Sequence, residues 1–310
     1  MLKNAIPLER APLEACLFDD DPCVLAIIVG TEGPSYRPLG AMMAIFQTRP
    51  SVGSLSSGCV EADIKLHALE CLNSGKPNVV RYGLGSPYLD IVLPCGGGLQ
   101  ILLLPNPCRE TIQGVLHATI RDRRTCTLNI QMQSGDMSMT IEGAPVPSAS
   151  VVSLTLEPEP RFLVFGKGPE AVAFTALAQS TGYETTLLSP DPETLEHAQN
   201  VACQTVELAR PEIPASVSID KRTAVVLFFH DHDWEPPILK RALTTPAYYI
   251  GAQGSARARD NRDMALRSAG VSHDELARIR GPIGLINSAR DSRTLAISVL
   301  AEIVSLERSS

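Results

Sequence analysis

Residues 161–171 read RFLVF-GKGPEA, an arginine and four apolar residues followed at once by the turn Gly166-Lys167-Gly168-Pro169-Glu170-Ala171. A buried strand that breaks into G-x-G-x-x-A and opens a helix is the start of a βαβ unit. The first glycine allows the tight turn. The second, Gly168, lets backbone approach a phosphate, and the helix mouth offers free N–H groups at the positive end of the dipole. Downstream, the pattern keeps alternating. Ala171–Ser180 is predicted as a helix with Gly182 as its C-cap, and Thr185–Leu188 as the second strand. Ala224–Phe229 and Ala247–Ile250 are further strands, and Arg293–Leu306 is a closing helix. Such alternation implies a parallel sheet with helices on its faces, a Rossmann-like unit. The acidic residue that often follows the second strand is not cleanly placed, since that strand ends at Ser189 with Asp191 two residues on.

Upstream of Arg161 the pattern differs. Residues 5–19 are expected as a short amphipathic helix, Cys23–Val29 and Ala41–Phe46 as strands, and about 60–73 as a helix with Val60, Ile64, Ala68 and Leu72 on one face. Val79–Tyr82 and Asp90–Leu93 read as short strands and Leu99–Leu104 as a strongly apolar one. After residue 106, two runs flanking Ser134-Gly135-Asp136 read as a β-hairpin, and Pro158 and Pro160 mark a boundary. The fold class expected is α/β: an α+β domain over 1–107, a β-rich connecting segment over 108–158 and a Rossmann-like domain over 159–310. A length of 310 residues suits this division.

Bulk composition excludes several classes. With 27 basic and 34 acidic residues the net charge is −7, which argues against a protein held on nucleic acid by its overall field. Trp234 is the single tryptophan and aromatics make up 5%, so there is no base-stacking platform. No apolar run is long enough for a signal core or a membrane span. The eight cysteines contain no C-x-x-C pair and form no disulfide framework. A cytoplasmic protein without membrane or nucleic-acid partners is expected.

Five further constellations could carry chemistry. Ser57-Gly58-Cys59-Val60-Glu61 puts a thiol at a helix mouth, where the dipole favours thiolate; otherwise Cys59 is a small buried hydrophobe. Pro94-Cys95-Gly96-Gly97-Gly98 has three glycines that let backbone N–H groups point at an anion, with a thiol beside them. If Cys59 and Cys95 meet, two thiols in a glycine-lined pocket suit a soft metal or a sulfur transfer. In Ser35-Tyr36-Arg37-Pro38-Leu39-Gly40, Arg37 either pairs with an oxo-anion through its planar fork or is an exposed loop arginine. His230-Asp231-His232-Asp233 follows a strand, but neighbours on an extended segment face opposite ways, so a loop contact is favoured over a metal. Gly251-Ala252-Gln253-Gly254-Ser255 with Arg257 either holds a second phosphate or is only a strand-to-helix turn.

Taken in order, these motifs resemble the XdhC/CoxI family, accessory factors of xanthine dehydrogenase and related molybdenum hydroxylases. The resemblance rests on residues 33–43, on Ser57–Glu61, on Pro94–Gly97, on the Gly166 turn, on His230-Asp231, on Tyr249–Ser255, on Gly281-Pro282-Ile283-Gly284 and on Ala296–Ile303. Ser57 stands where the family has a glycine, and Ser189 where it has an acid. The resemblance implies a protein that binds the molybdenum cofactor (molybdopterin), shelters it while a cysteine desulfurase replaces an oxo ligand by sulfur, and inserts it into an apo molybdenum hydroxylase. It implies a carrier rather than an enzyme, with no catalytic residues. Cys59 and Cys95 would face the metal, Gly58, Gly96, Gly97 and Gly98 would offer backbone, and Ser35 and Arg37 would meet an anion. Gly166, Gly168, Gly254 and Ser255 would hold the phosphate end or a nucleotide. A homodimer would suit such a carrier. The rival readings are an NAD(P)-dependent oxidoreductase using the Gly166 turn, and a docking protein with an empty Rossmann scaffold.

Overall fold

The computed structural model describes residues 6–7, 9–18, 21–56, 58–84, 86, 96–146, 148–230, 233–287 and 289–307. The chain divides into two units, Met1–Pro158 and Glu159–Ser310.

The first unit is organised by one strand. Its elements in order are β1 (Ile6–Pro7), α1 (Arg10–Phe18), β2 (Cys23–Glu32), β3 (Met42–Phe46), β4 (Val52–Gly53), α2 (Gly58–Ser74), β5 (Asn78–Gly83) and β6 (Gly98–Pro105). There follow α3 (Arg109–Leu116), a π-helical turn (His117–Arg121), β7 (Cys126–Gln131), β8 (Met137–Ile141) and β9 (Val151–Glu157). An antiparallel sheet runs β4-β3-β2-β6-β5. Successive side chains of a strand point to opposite faces, so β2 feeds two cores. Cys23, Leu25 and Ile27 pack with α1, α3 and the second sheet, β1-β9-β7-β8. Val24, Ala26 and Ile28 pack with Val60, Ile64, Ala68 and Cys71 of α2. This two-sided burial explains why the inner parts of β2 and β6, 23–29 and 101–104, read as apolar runs rather than as alternations. Residues 108–158 share the first of these cores with the preceding residues, through Ile112, Val115, Leu128, Ile130, Leu154 and Leu156.

The helix expected over 5–19 is shorter. Ile6 and Pro7 pair in parallel with Leu156 and Glu157, and α1 starts at Arg10, which puts Pro12 in the first turn, where a helix tolerates a missing N–H. The strand expected at Asp90–Leu93 lies outside the described residues.

The second unit holds β10 (Arg161–Gly166), α4 (Pro169–Ser180), β11 (Glu184–Ser189), α5 (Pro192–Gln199), β12 (Gln204–Glu207), β13 (Thr223–Phe228) and α6 (Glu235–Leu243). It closes with β14 (Tyr249–Ala252), α7 (Ala256–Ser268), α8 (His273–Leu276), β15 (Ile279–Arg280) and α9 (Ser292–Glu307). All six strands are parallel, in the order β12-β11-β10-β13-β14-β15. Counted from β10 this is 3-2-1-4-5-6, the doubly wound order in which the chain reverses direction between the first and fourth strands. Phe162 and Val164 enter one face core with Val226 and Phe228, while Leu163 and Phe165 enter the other with Val225 and Leu227. Thr181 caps α4, and Gly182, with φ +92°, is the residue after it. Among the described residues no helix is long and apolar enough to cross a membrane.

At Gly166 the backbones of β10 and β13 come so close that a Cβ would run into the carbonyl of Phe228. That carbonyl accepts a hydrogen bond from the N–H of Lys167 at 3.2 Å and has little freedom to yield. Gly166→Ala is expected to destabilise the chain by about 1–3 kcal/mol, as overpacking does. Gly182→Ala, with open space and only a positive φ to bear, should cost about 1–2 kcal/mol. Urea unfolding of the two variants compares them, and the larger loss belongs to Gly166→Ala.

Candidate functional site

In the first unit the described candidates Ser35, Arg37, Gly96, Gly97 and Gly98 lie at one end of the five-stranded sheet. β2 and β6 pair through Thr31 with Leu99 and Glu32 with Gly98. The 33–40 loop therefore leaves the sheet where the Gly96-Gly97-Gly98 segment enters it. Contact there is backbone to backbone: a Cβ on Gly97 would meet the carbonyl of Pro34 and lie 2.7 Å from that of Glu32. Only glycine permits this approach. Gly98 pairs on its other side with Gly83 of β5, and a Cβ there would sit 3.1 Å from the Leu84 carbonyl.

The start of α2 reaches the same end. Tyr82 lies opposite Leu99 in the β5–β6 ladder, and its hydroxyl donates to Asp63 at 2.7 Å. Asp63 is five residues into α2, so this bond ties the N-terminal part of α2 to β5. Glu61 secures the approach to it, accepting from the Ser54 hydroxyl at 2.8 Å and from the Leu55 N–H at 3.1 Å. The Cys59 side chain, Ser57 and Cys95 lie outside the described residues.

Arg37 is not a free loop arginine. Its guanidinium pairs with Glu9, whose other oxygen accepts the N–H of Met42 at 3.1 Å. Ser35 turns its hydroxyl back to the Arg37 carbonyl. One guanidinium nitrogen, Nε, is buried without a hydrogen-bond partner. Beside the glycine segment a cleft of about 180 Å³ is lined by Gly30, Thr31, Glu32, Arg81, Gly98 and Gln100. Arg81 spans it, paired with Glu32 at 2.7 Å. The arrangement combines a backbone cradle with two partly engaged guanidinium groups, which is chemistry for an anion.

The other thiols fall into two kinds. Burial raises the thiols of Cys71 and Cys203, and pushes Cys126 up to about 11. Cys16 and Cys23 share a hydrogen bond in the core, which holds Cys16 protonated and lowers Cys23. Cys108 is exposed. Its thiol is lowered by the Thr111 hydroxyl first, and then by N–H groups at the start of α3. The helix-mouth argument made from sequence for Cys59 is thus seen at Cys108, which sequence reasoning passed over because Asn106-Pro107 masks the helix start. Among the described residues no group of three or more His, Cys, Asp or Glu is placed to hold a metal.

In the second unit the glycine turn sits at the carboxyl end of β10, as expected, and two of its N–H groups, those of Lys167 and Gly168, are already bonded. The Gly168 N–H donates to the Thr194 hydroxyl at 2.9 Å, and Pro169 brings no N–H to the first helical position. Glu170 lies at the mouth of α4 and pairs with His230 Nε2 at 3.3 Å. Asp191, the acid nearest the second strand, caps α5 by accepting the Thr194 N–H at 2.9 Å. Those hydrogen bonds from Thr194 lower its carboxyl. Gly254 and Ser255 follow β14, and the Ser255 hydroxyl caps α7 by accepting the Ala258 N–H at 3.2 Å. Asp231 and His232 lie outside the described residues.

An antiparallel-sheet unit with a glycine-lined strand end, followed by a six-stranded Rossmann unit, defines a two-unit α/β protein. Residues 162–303 match the XdhC Rossmann domain and residues 16–83 match the XdhC and CoxI family. The chain is 34% identical over 298 residues to the molybdenum cofactor insertion chaperone PaoD of Escherichia coli, covering 96% of this chain and 87% of that protein. It therefore belongs to the XdhC and CoxI family. A probable xanthine dehydrogenase subunit from Bacillus subtilis is 26% identical over 322 residues, with 94% and 95% covered. The crystal structure of a xanthine dehydrogenase from Bacillus halodurans shares the fold, with TM-score 0.78 and 23% identity over 96% of this chain and 95% of that one.

Two measurements test the geometry. Gly97→Ala should detach the 33–40 loop from the β6 entry, because both opposing atoms are backbone carbonyls. Amide exchange across residues 33–40 should quicken at least tenfold, equivalent to about 1.4 kcal/mol, while the second unit keeps its protection. Iodoacetamide at neutral pH should alkylate Cys108 before Cys16, Cys71, Cys126 and Cys203, as peptide mapping of a time course would read.

Proposed function

We propose that this chain carries the molybdenum cofactor and hands it to an apo molybdenum hydroxylase of the xanthine dehydrogenase type. The observation that carries the proposal is its near full-length relationship to a molybdenum cofactor insertion chaperone. The relative named as a xanthine dehydrogenase subunit supports the same client class. In this reading the protein is a carrier and not an enzyme. The cofactor is cargo, sheltered while a cysteine desulfurase supplies the terminal sulfur.

The site chemistry suits such cargo. Molybdopterin is anionic, with a phosphate and a metal held by a dithiolene. Thiolate sulfur is a matching soft ligand, and we assign Cys59 and Cys95 to the metal side. Gly58, Gly96, Gly97 and Gly98 would present backbone, with no side chain between protein and guest. Arg37 and Ser35 would meet its negative charge. Glu9 keeps that guanidinium in place before the guest arrives, which reduces the ordering cost of binding.

The test is retention of cofactor. Protein purified from a host that makes molybdopterin is oxidised, and the released pterin is measured by fluorescence. Cys59→Ala/Cys95→Ala protein should retain at least tenfold less than wild type, at an unchanged melting temperature. Retention at the wild-type level in a folded double variant would show that these sulfurs do not hold the metal.

A further inference from the structure

The cofactor reading makes no use of Cys16 and Cys23. Cys16 lies in the last turn of α1 and Cys23 is the first residue of β2, and their thiols share a hydrogen bond. We infer that this pair is a site of reversible modification: a small hydroperoxide oxidises it to a disulfide, which staples α1 to β2.

Three observations carry this. First, both backbones are held where the sulfurs meet. Cys23 pairs with Phe46 across the sheet. Its N–H donates to Asn106 Oδ1 at 3.3 Å, and its carbonyl accepts the Asn106 N–H at 2.8 Å. On the helix side, the last carbonyls of α1 have no intrahelical donor. Arg49 donates to that of Ala15 at 3.0 Å, and Arg109 to those of Cys16, at 3.4 Å, and Leu17. Second, these two guanidinium groups bring positive charge to the pair, and that of Arg49 also lies 3.5 Å over the Phe46 ring. The hydrogen bond from Cys16 lowers the Cys23 thiol, and the charges of Arg49 and Arg109 lower it further. The same bond, with burial, keeps the proton on Cys16. An attacking thiolate thus stands beside a protonated resolving thiol.

Third, the other described thiols lack one half of this arrangement. Burial raises Cys71, Cys126 and Cys203, and no arginine acts on them. Cys108 is lowered by Thr111 and not by a second thiol. Cys16 and Cys23 are 3% and 5% exposed, which admits an oxidant no larger than a small peroxide. The Cys23 sulfur attacks one peroxide oxygen, so an S–O bond forms as the O–O bond breaks, and the departing oxygen takes up a proton. The Cys16 sulfur, giving up its proton, then attacks the Cys23 sulfur; the S–S bond forms as the S–O bond breaks. With hydrogen peroxide the two thiols lose two electrons and two protons, and two water molecules result. The new bond closes a short loop and so penalises any opening of α1 from β2. Glu9, directly before α1, accepts the Met42 N–H and pairs with Arg37. Oxidation at one end of α1 therefore steadies the carboxylate that tethers the 33–40 loop at the other.

The full-length protein, reduced and then treated with hydrogen peroxide at neutral pH, is quenched, denatured and cut at the acidic run Asp19-Asp20-Asp21, which separates the two cysteines. Fragments bearing Cys16 and Cys23 should be joined, and should part on treatment with dithiothreitol. Cys16→Ser should leave Cys23 as a sulfenic acid that dimedone traps. Cys23→Ser should slow oxidation at Cys16 at least tenfold, because that thiol keeps its proton. The Met42 amide should exchange at least threefold more slowly in the oxidised protein, and recover on reduction. The inference does not rest on the cofactor reading, so Cys59→Ala/Cys95→Ala protein should form the same link whether or not it retains pterin. It is overturned if Cys16 and Cys23 stay reduced while Cys108 is oxidised, if either is found joined to another cysteine instead, or if Met42 exchanges equally in both forms.

Discussion

A strand buried on both faces has nowhere along its length for polar chemistry; only its ends are open. β2 and β6 in the first unit, and β10 and β13 in the second, are strands of this kind. Their central apolar side chains are committed to one core or the other, so a charge or an unpaired donor placed among them would be buried at a cost of several kcal/mol. Candidate chemistry in both units is therefore pushed to loops where strands stop. Glycine at those stops lets two backbones close on each other, Gly97 on the carbonyls of Pro34 and Glu32, and Gly166 on that of Phe228.

The two units use this constraint differently. In the first, the glycine segment and the 33–40 loop converge, because Glu32 pairs with Gly98, and Tyr82 ties Asp63 of α2 to β5. The result is a cradle with cationic groups already tethered by carboxylates. In the second, the Gly168 N–H of the glycine turn is bonded to Thr194 and Glu170 at the helix mouth pairs with His230, and open volume appears two strands along the sheet from β10, beside α7. A turn with the composition of a phosphate loop can have donors already engaged within the fold. Its local sequence does not reveal this, since Thr194 and His230 arrive from 26 and 60 residues away.

Much of the architecture was legible because burial leaves a repeating mark. β2, β6, β10 and β13 carry apolar runs through their centres, and α2 shows its core face at Val60, Ile64 and Ala68. The elements that escaped notice have weak marks. β12 is a polar edge strand, Gln204–Glu207, with no buried residue to set a period. β15 is two residues long. Helix α3 buries only Ile112 and Val115, too few for a stripe. Asp191 looked like a misplaced ribose acid, whereas it is the cap of α5.

The sequence by itself determined which stretches must be inside, where the chain must turn, and which family the ordered motifs resemble, since hydrophobic period and glycine positions are local properties. Tertiary structure alone decided which donors remain open. It joined Glu9 to Arg37, Glu170 to His230, and the 281–286 segment to Ser298 and Glu302. A hydrogen bond satisfied by a residue many positions away leaves no trace in the local pattern, yet it settles whether a loop can take a ligand or has already been filled.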